Sequence, residues 1–183
     1  MYLGVDEAGK GPVLGPMVAA AVLAAPAALP PDIGDSKQLA PARREAIDAT
    51  LRDAARVAVG VAFVESAEID RPDTDMNTLT VRGQARAVRA ALDGYEAAGE
   101  GEPNAPVRVV ADAGDTSEAR FARRLGEFVG AEGDDQREVG GSEANDLAAV
   151  DVEAFHGADE SDPVVGAASV VAKVARDARM AAI

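Results

Sequence analysis

The sequence predicts an α/β fold with a mixed sheet. Short apolar runs alternate along the chain with segments whose apolar residues recur at helical spacing. Two of those runs, GVDE and VVAD, end in acidic residues. No internal repeat or linker interrupts the series, and 183 residues suffice for one domain with a real core, so residues 1–183 read as a single unit.

Residues 2–6 form the first expected strand, and Met17–Leu23 a second, built of small residues. The segment PARREAIDATLRDAARV puts Ile47, Leu51 and Ala55 on one helical face and opens with Pro41, whose fixed φ suits a first turn. Val57–Phe63 reads as a third strand. A longer helix from Asn77 aligns Val81, Ala85, Val88, Leu92 and Tyr95. AAGEGEPNAP is a loop by composition. Val107–Ala111 is a strand ending in Asp112. The helix SEARFARRLGEFVG follows, with Phe121, Leu125 and Phe128 at helical spacing and Gly130 as its stop. A short strand is expected near Gln136–Val139, and Pro163 opens a final helix.

Composition narrows the setting. There are no cysteines, which excludes a disulfide framework and a thiolate metal site. PMVAAAVLAAPAALPP is apolar, but proline breaks it well short of a membrane span, and nothing reads as a signal peptide, so a cytoplasmic protein is expected. Acidic residues number 32 against 18 basic ones, for a net charge of −14. They are scattered rather than gathered in a tail, and lysine and aromatic residues are scarce. This pattern suits molar intracellular salt, where the Debye length is only ~3 Å and net charge has little reach. An acidic protein from ordinary salt stays open on composition alone. Acidity by itself thus does not exclude a polyanionic partner.

Carboxylates at strand ends, in a chain without cysteine and with one histidine, suit hard oxygen-liganded cations, Mg²⁺ or Mn²⁺. Such clusters hold two ions that clamp the attacking and leaving oxygens of a phosphodiester. Successive strand side chains alternate faces, so Asp6 and Glu7 are expected to converge only if the chain leaves strand geometry there, as Gly9 and Gly11 would permit. Asp6 or Asp112 could instead simply cap a turn or helix. GKGP lacks the spacing of a Walker A loop, yet its glycines let backbone N–H groups approach an oxygen-rich ligand. Lys10, Lys37 and Lys173 are the only lysines, and phosphate contact is the natural task for residues so sparingly used. His156, the sole histidine, is more often the kind of residue that fills a loop.

With these blocks in place, GVDEAGKGPVLGPMV, DSKQL, VVADAGD and HGADESDPVVGAASVVAKVARD, the chain resembles the type 2 ribonucleases H (ribonuclease HII), in a salt-loving archaeal form. The motifs stand in family order from residue 4 to residue 177. The resemblance implies a ribonuclease H-like fold, a five-stranded mixed sheet flanked by helices. It implies metal-dependent cleavage, with Mn²⁺ or Mg²⁺, of RNA in RNA–DNA hybrids and of duplex DNA carrying a single ribonucleotide, leaving 3′-hydroxyl and 5′-phosphate ends. By motif match Asp6, Glu7, Asp112 and Asp159 are the catalytic and metal-binding acids, with Asp6 and Asp112 ending neighbouring strands at the carboxyl edge of the sheet. Gly9, Lys10 and Gly11 match the Gly-Arg-Gly whose backbone meets the ribonucleotide 2′-hydroxyl, the group that separates RNA from DNA. Ser36, Lys37, Asn77, Ser169 and Lys173 fall where the family contacts phosphate or supports the site, with packing or capping as the alternative for each.

The chain departs from the pattern in three places: lysine at position 10, Gln38 in DSKQL, and an end six residues after Asp177, where the family continues with helix and a tyrosine-bearing segment. A monomer is expected, and a sliding-clamp contact through that tail is not. The rival readings are a type 3 ribonuclease H, which also shows Gly-Lys-Gly, and a non-catalytic hybrid-binding module.

Overall fold

The computed structural model describes residues 1–11, 14–31, 33, 39–99, 106–131 and 150–183. Its centre is a five-stranded sheet in the order β3-β2-β1-β4-β5. The strands are β1 (Tyr2–Ala8), β2 (Met17–Ala24), β3 (Ala58–Val64), β4 (Val107–Asp112) and β5 (Val150–Phe155). The β1–β2 and β2–β3 pairs are antiparallel, while β1–β4 and β4–β5 are parallel, so the expected mixed sheet is present. The helices are α1 (Pro41–Asp53), α2 (Ser66–Ile69), α3 (Met76–Ala97), α4 (Glu118–Ala131), α5 (Ala158–Ser161) and α6 (Pro163–Ala181).

Helices cover both faces. On one, the predicted stripe of α3 (Val81, Ala85, Val88, Leu92, Tyr95) packs with Phe121 and Leu125 of α4 against Leu3, Val5, Ala21, Leu23 and Val109 of the sheet. On the other, Ile47 and Leu51 of α1 and Val164, Ala168 and Val171 of α6 pack against Ala20, Val22 and Ala24. Every residue of β2 is buried, as expected of a central strand covered on both sides. Gly4 makes the close seating of α6 possible: a Cβ there would lie 2.5 Å from the Val164 carbonyl oxygen. Asp162 caps α6 by accepting from the N–H groups of Val164 and Val165, at 2.9 and 3.1 Å, and Pro163 opens it as predicted.

The structure corrects several expectations. Ala55 is exposed, because α1 stops at Asp53 and Arg56 then takes a left-handed φ of 62°. The buried position that helical spacing did not announce is Arg44, whose guanidinium bonds the Leu39 carbonyl at 2.5 Å and pairs with Asp177 at 3.4 Å. Gly130 does not end α4, which runs through it to Ala131. The strand expected at Gln136–Val139 lies outside the described residues, and the fifth strand is Val150–Phe155.

Candidate active site

Pairing of β1 with β4 ends at Val5↔Ala111, and the next residue on each strand is an acid, Asp6 and Asp112. β1 does not leave strand geometry at this point, contrary to expectation. It stays paired with β2 through Asp6↔Ala20, Glu7↔Ala19 and Ala8↔Val18. Asp6 and Glu7 therefore point to opposite faces. Asp6 turns toward α6, where Ser169 hydrogen-bonds its carboxylate, and its Oδ1 also accepts from the Glu7 N–H at 2.7 Å. Glu7 turns toward α3, where Gln84 Nε2 donates to its Oε2 at 2.6 Å. The same Nε2 reaches the Asp112 carbonyl at 3.3 Å, which ties Glu7 to the end of β4.

Asp112 and Asp159 are linked through the backbone. The Ala158 N–H at the start of α5 donates to Asp112 Oδ1 at 2.9 Å, so the capping alternative is realised in part: Asp112 fixes the short helix that carries Asp159. Asp159 is buried there, 5 % exposed. Gly157 supplies the left-handed turn into α5, at φ 71°. His156, just before it, holds the Ala113 carbonyl through Nδ1 at 3.2 Å while its N–H donates to Glu118 Oε1 at 2.9 Å, a loop-fixing role.

The acids interact through space. Burial pushes the Asp6 carboxyl well above the usual carboxylate range, and the charges of Glu7 and Asp112 push it further, against the hydrogen bonds from Ser169 and the Glu7 N–H. Burial likewise raises Glu7 to about 7; Gln84 and the Lys10 ammonium oppose the shift, while Asp112 and Asp159 add to it. All four acids thus enter one electrostatic cluster. The donor set is entirely oxygen and short of positive charge, which fits a hard divalent cation. Among the described residues no three acidic or histidine side chains stand close enough, as placed, to hold an ion together.

A cleft of about 560 Å³ opens beside Glu7, lined also by Lys10, Asn77, Ala113, Gly114, Asp115, Thr116 and His156. Gly114 keeps it open, because a Cβ there would lie 2.9 Å from Lys10 Nζ and 3.3 Å from Glu7 Oε1. Asp115 is locked to Arg120 at 2.6 Å, which holds its carboxyl down at about 2. Of the other predicted residues, Lys173 pairs with Asp177 at 2.5 Å on α6, and Ser36 and Lys37 lie outside the described residues. Sequence reasoning missed Gln84, although a glutamine three residues after Val81 within an apolar stripe was a usable signal.

A mixed five-stranded sheet with acids at the carboxyl ends of adjacent parallel strands defines the ribonuclease H-like class of nucleases. The family model described as Ribonuclease HII matches residues 3–131. Ribonuclease HII of Haloarcula marismortui is 48 % identical over 182 residues, covering 99 % of this chain and 72 % of the relative. That of Halobacterium salinarum is 47 % identical over 181 residues, covering 98 % and 71 %. Among solved structures, the ribonuclease HII of Archaeoglobus fulgidus, in complex with PCNA, superposes with a TM-score of 0.74 at 28 % identity, over 100 % of this chain and 74 % of that one. Ribonuclease H2 of Pyrococcus horikoshii gives 0.69 at 29 %, over 98 % and 74 %. The chain belongs to the ribonuclease HII family, divalent-metal-dependent endonucleases that act on RNA–DNA hybrids. A manganese-bound type 3 enzyme, Bst-RNase HIII, matches at 22 % identity with a TM-score of 0.67 and shows the shared fold alone.

Proposed function

We propose that this protein hydrolyses the RNA strand of RNA–DNA hybrids, and single ribonucleotides within duplex DNA, with Asp6, Glu7, Asp112 and Asp159 holding Mg²⁺ or Mn²⁺ and the cut leaving 3′-hydroxyl and 5′-phosphate ends. The observation that carries the reading is the buried acid cluster itself, in which burial drives Asp6 and Glu7 toward protonation, the charges of Glu7 and Asp112 push Asp6 further, and those of Asp112 and Asp159 push Glu7. Carboxyls perturbed by burial and by like charge cluster at functional sites. Bound divalent cations would supply charge stabilisation to the attacking and leaving oxygens of the phosphodiester.

The chain's own residues prepare the site. Ser169 and Gln84 fix the Asp6 and Glu7 carboxylates from opposite helical layers, and the Ala158 amide fixes Asp112. Lys10 offsets part of the negative charge next to Glu7. The Gly9-Lys10-Gly11 backbone supplies the contact to the ribonucleotide 2′-hydroxyl, and Asn77, on the cleft wall, a contact to the substrate strand. Ser36, Lys37 and Lys173 would complete the contacts to phosphate.

The test is metal-dependent cleavage of a hybrid and of a duplex carrying one ribonucleotide, with the ends mapped, in wild type and in Asp112→Asn. Asparagine keeps an Oδ1 for the Ala158 N–H and so keeps the fold. Cleavage should fall by roughly a hundredfold or more, the scale on which removal of an electrostatic catalytic group acts. A near wild-type rate in the variant would remove Asp112 from the site.

A further inference from the structure

We propose that Arg176 is a positioning residue for substrate recognition: from α6 it braces the Gly9-Lys10-Gly11 turn and thereby sets the preference for a ribonucleotide. The inference rests on the reading above that this turn meets the 2′-hydroxyl.

β1 ends at Ala8 and β2 begins at Met17, and between them residues 9–11 and 14–16 are described. Gly9 and Gly15 take φ of +91° and +82°, and among the described residues no backbone hydrogen bond closes the turn. The hold comes from α6. Arg176 Nε donates to the Pro16 carbonyl and Nη2 to the Leu14 carbonyl, each at 3.2 Å. The same side chain lies against Gly9, where a Cβ would stand 2.8 Å from Arg176 Cδ and overlap Nε. One guanidinium thus bonds the exit of the turn and packs against its entry at Gly9. One helical turn on, Met180 fills the space under Gly15, where a Cβ would overlap its sulfur.

Two turns earlier on the same helix, Ser169 holds Asp6. α6 therefore fixes one of the acids and the recognition turn together, and with them the spacing between the reacting phosphate and the group that senses the 2′-hydroxyl. Gly11 faces the other way: a Cβ there meets nothing within 4 Å. The choice of arginine is informative. In a chain with 32 acidic residues, this guanidinium bonds carbonyls and makes no ion pair among the described residues. Its rigid fork serves two acceptors at once, which a lysine ammonium cannot do in the same geometry.

The experiment compares binding of an RNA–DNA hybrid and of an all-DNA duplex of the same sequence, in molar KCl without added divalent cation, together with melting temperature. Wild type should favour the hybrid, and Gly11→Ala, which places a methyl in front of the turn, should lose that preference. Arg176→Gln should reduce the preference by about tenfold, the effect of one misplaced hydrogen bond, with DNA affinity unchanged. Arg176→Lys should keep part of it, and decides the matter if the glutamine variant does not fold. Equal loss of hybrid and DNA binding in Arg176→Gln would make Arg176 a phosphate contact and overturn the proposal. If Gly11→Ala loses the preference while the Arg176 variants keep it in full, the turn reading stands and the brace falls. If Gly11→Ala keeps the preference as well, the turn reading fails and takes the proposal with it.

Discussion

Replacing Glu7 by glutamine should stabilise the metal-free protein at alkaline pH and leave it nearly unchanged in acid. Glu7 titrates near 7 in the folded protein against 4.5 for an unperturbed glutamate, because burial and the charges of Asp112 and Asp159 outweigh Gln84 and Lys10. A carboxyl with a raised folded pKa binds its proton more tightly in the folded state. Stability is then fully present below the unfolded pKa and is lost as pH rises from about 4.5 to about 7. At ~1.4 kcal/mol per pKa unit the loss comes to ~3.5 kcal/mol, and partial solvent exposure of Glu7 trims it to about 2 kcal/mol. Glutamine keeps an oxygen for the Gln84 amide and never ionises, so Glu7→Gln escapes the loss. For a domain of this size the gain corresponds to roughly 4–8 °C in Tm. The assay is thermal unfolding of both proteins in molar salt with chelator, at about pH 4.5 and about pH 8. A saturating divalent cation at the higher pH should then stabilise wild type more than the variant, because only wild type offers it the extra carboxylate. A Tm difference that is the same at both pH values, or that favours wild type at pH 8 in chelator, would refute the reasoning.

Two further outcomes follow from charge and packing. With a net charge of −14, Tm and hybrid affinity should both rise as salt goes from about 0.1 M to above 1 M and the Debye length falls from roughly 10 Å to 3 Å, whereas an ordinary basic nuclease loses affinity; melting curves that stay flat over that range contradict the high-salt reading. Gly4→Ala should cost about 1–3 kcal/mol or more, since its Cβ meets the backbone of Val164 and Val165 rather than a movable side chain, and cleavage should fall with it as α6 backs away; an unchanged denaturation midpoint would show that α6 seats with room to spare.

The elements that sequence made legible are those whose pattern is local. The stripe from Val81 to Tyr95 and the apolar runs at β1, β2 and β4 report their own burial, and the structure returns them within a residue or two. β5 was missed although Val150, Val152 and Ala154 alternate with Asp151 and Glu153, because an edge strand with acids on its open side looks like a solvated loop. Ala55 failed because periodicity cannot see where a helix stops. Motif match singles out the four acids as a proposed set, but not their arrangement. That Asp6 faces α6 and Glu7 faces α3 depends on which helix covers which face of β1, a tertiary fact. Gln84 and Arg176 escaped for the same reason: their partners, Glu7, Leu14 and Pro16, are far away in sequence.

The division of Asp6 and Glu7 between the two faces of β1 bears on when the protein becomes a nuclease. Glu7 is aligned by α3 and Asp6 by α6, so neither helical layer alone organises both neighbours. Of the described helices, α6 is the last to be synthesised, and it follows directly on the short helix that brings Asp159. A nascent chain with β1, β2, β3 and α3 already assembled would carry Glu7 in place but lack the partner of Asp6 and the whole of Asp159. On the proposed site, cutting power therefore arrives no earlier than the docking of α6, and the order of synthesis along the chain separates folding of the sheet from assembly of the acids.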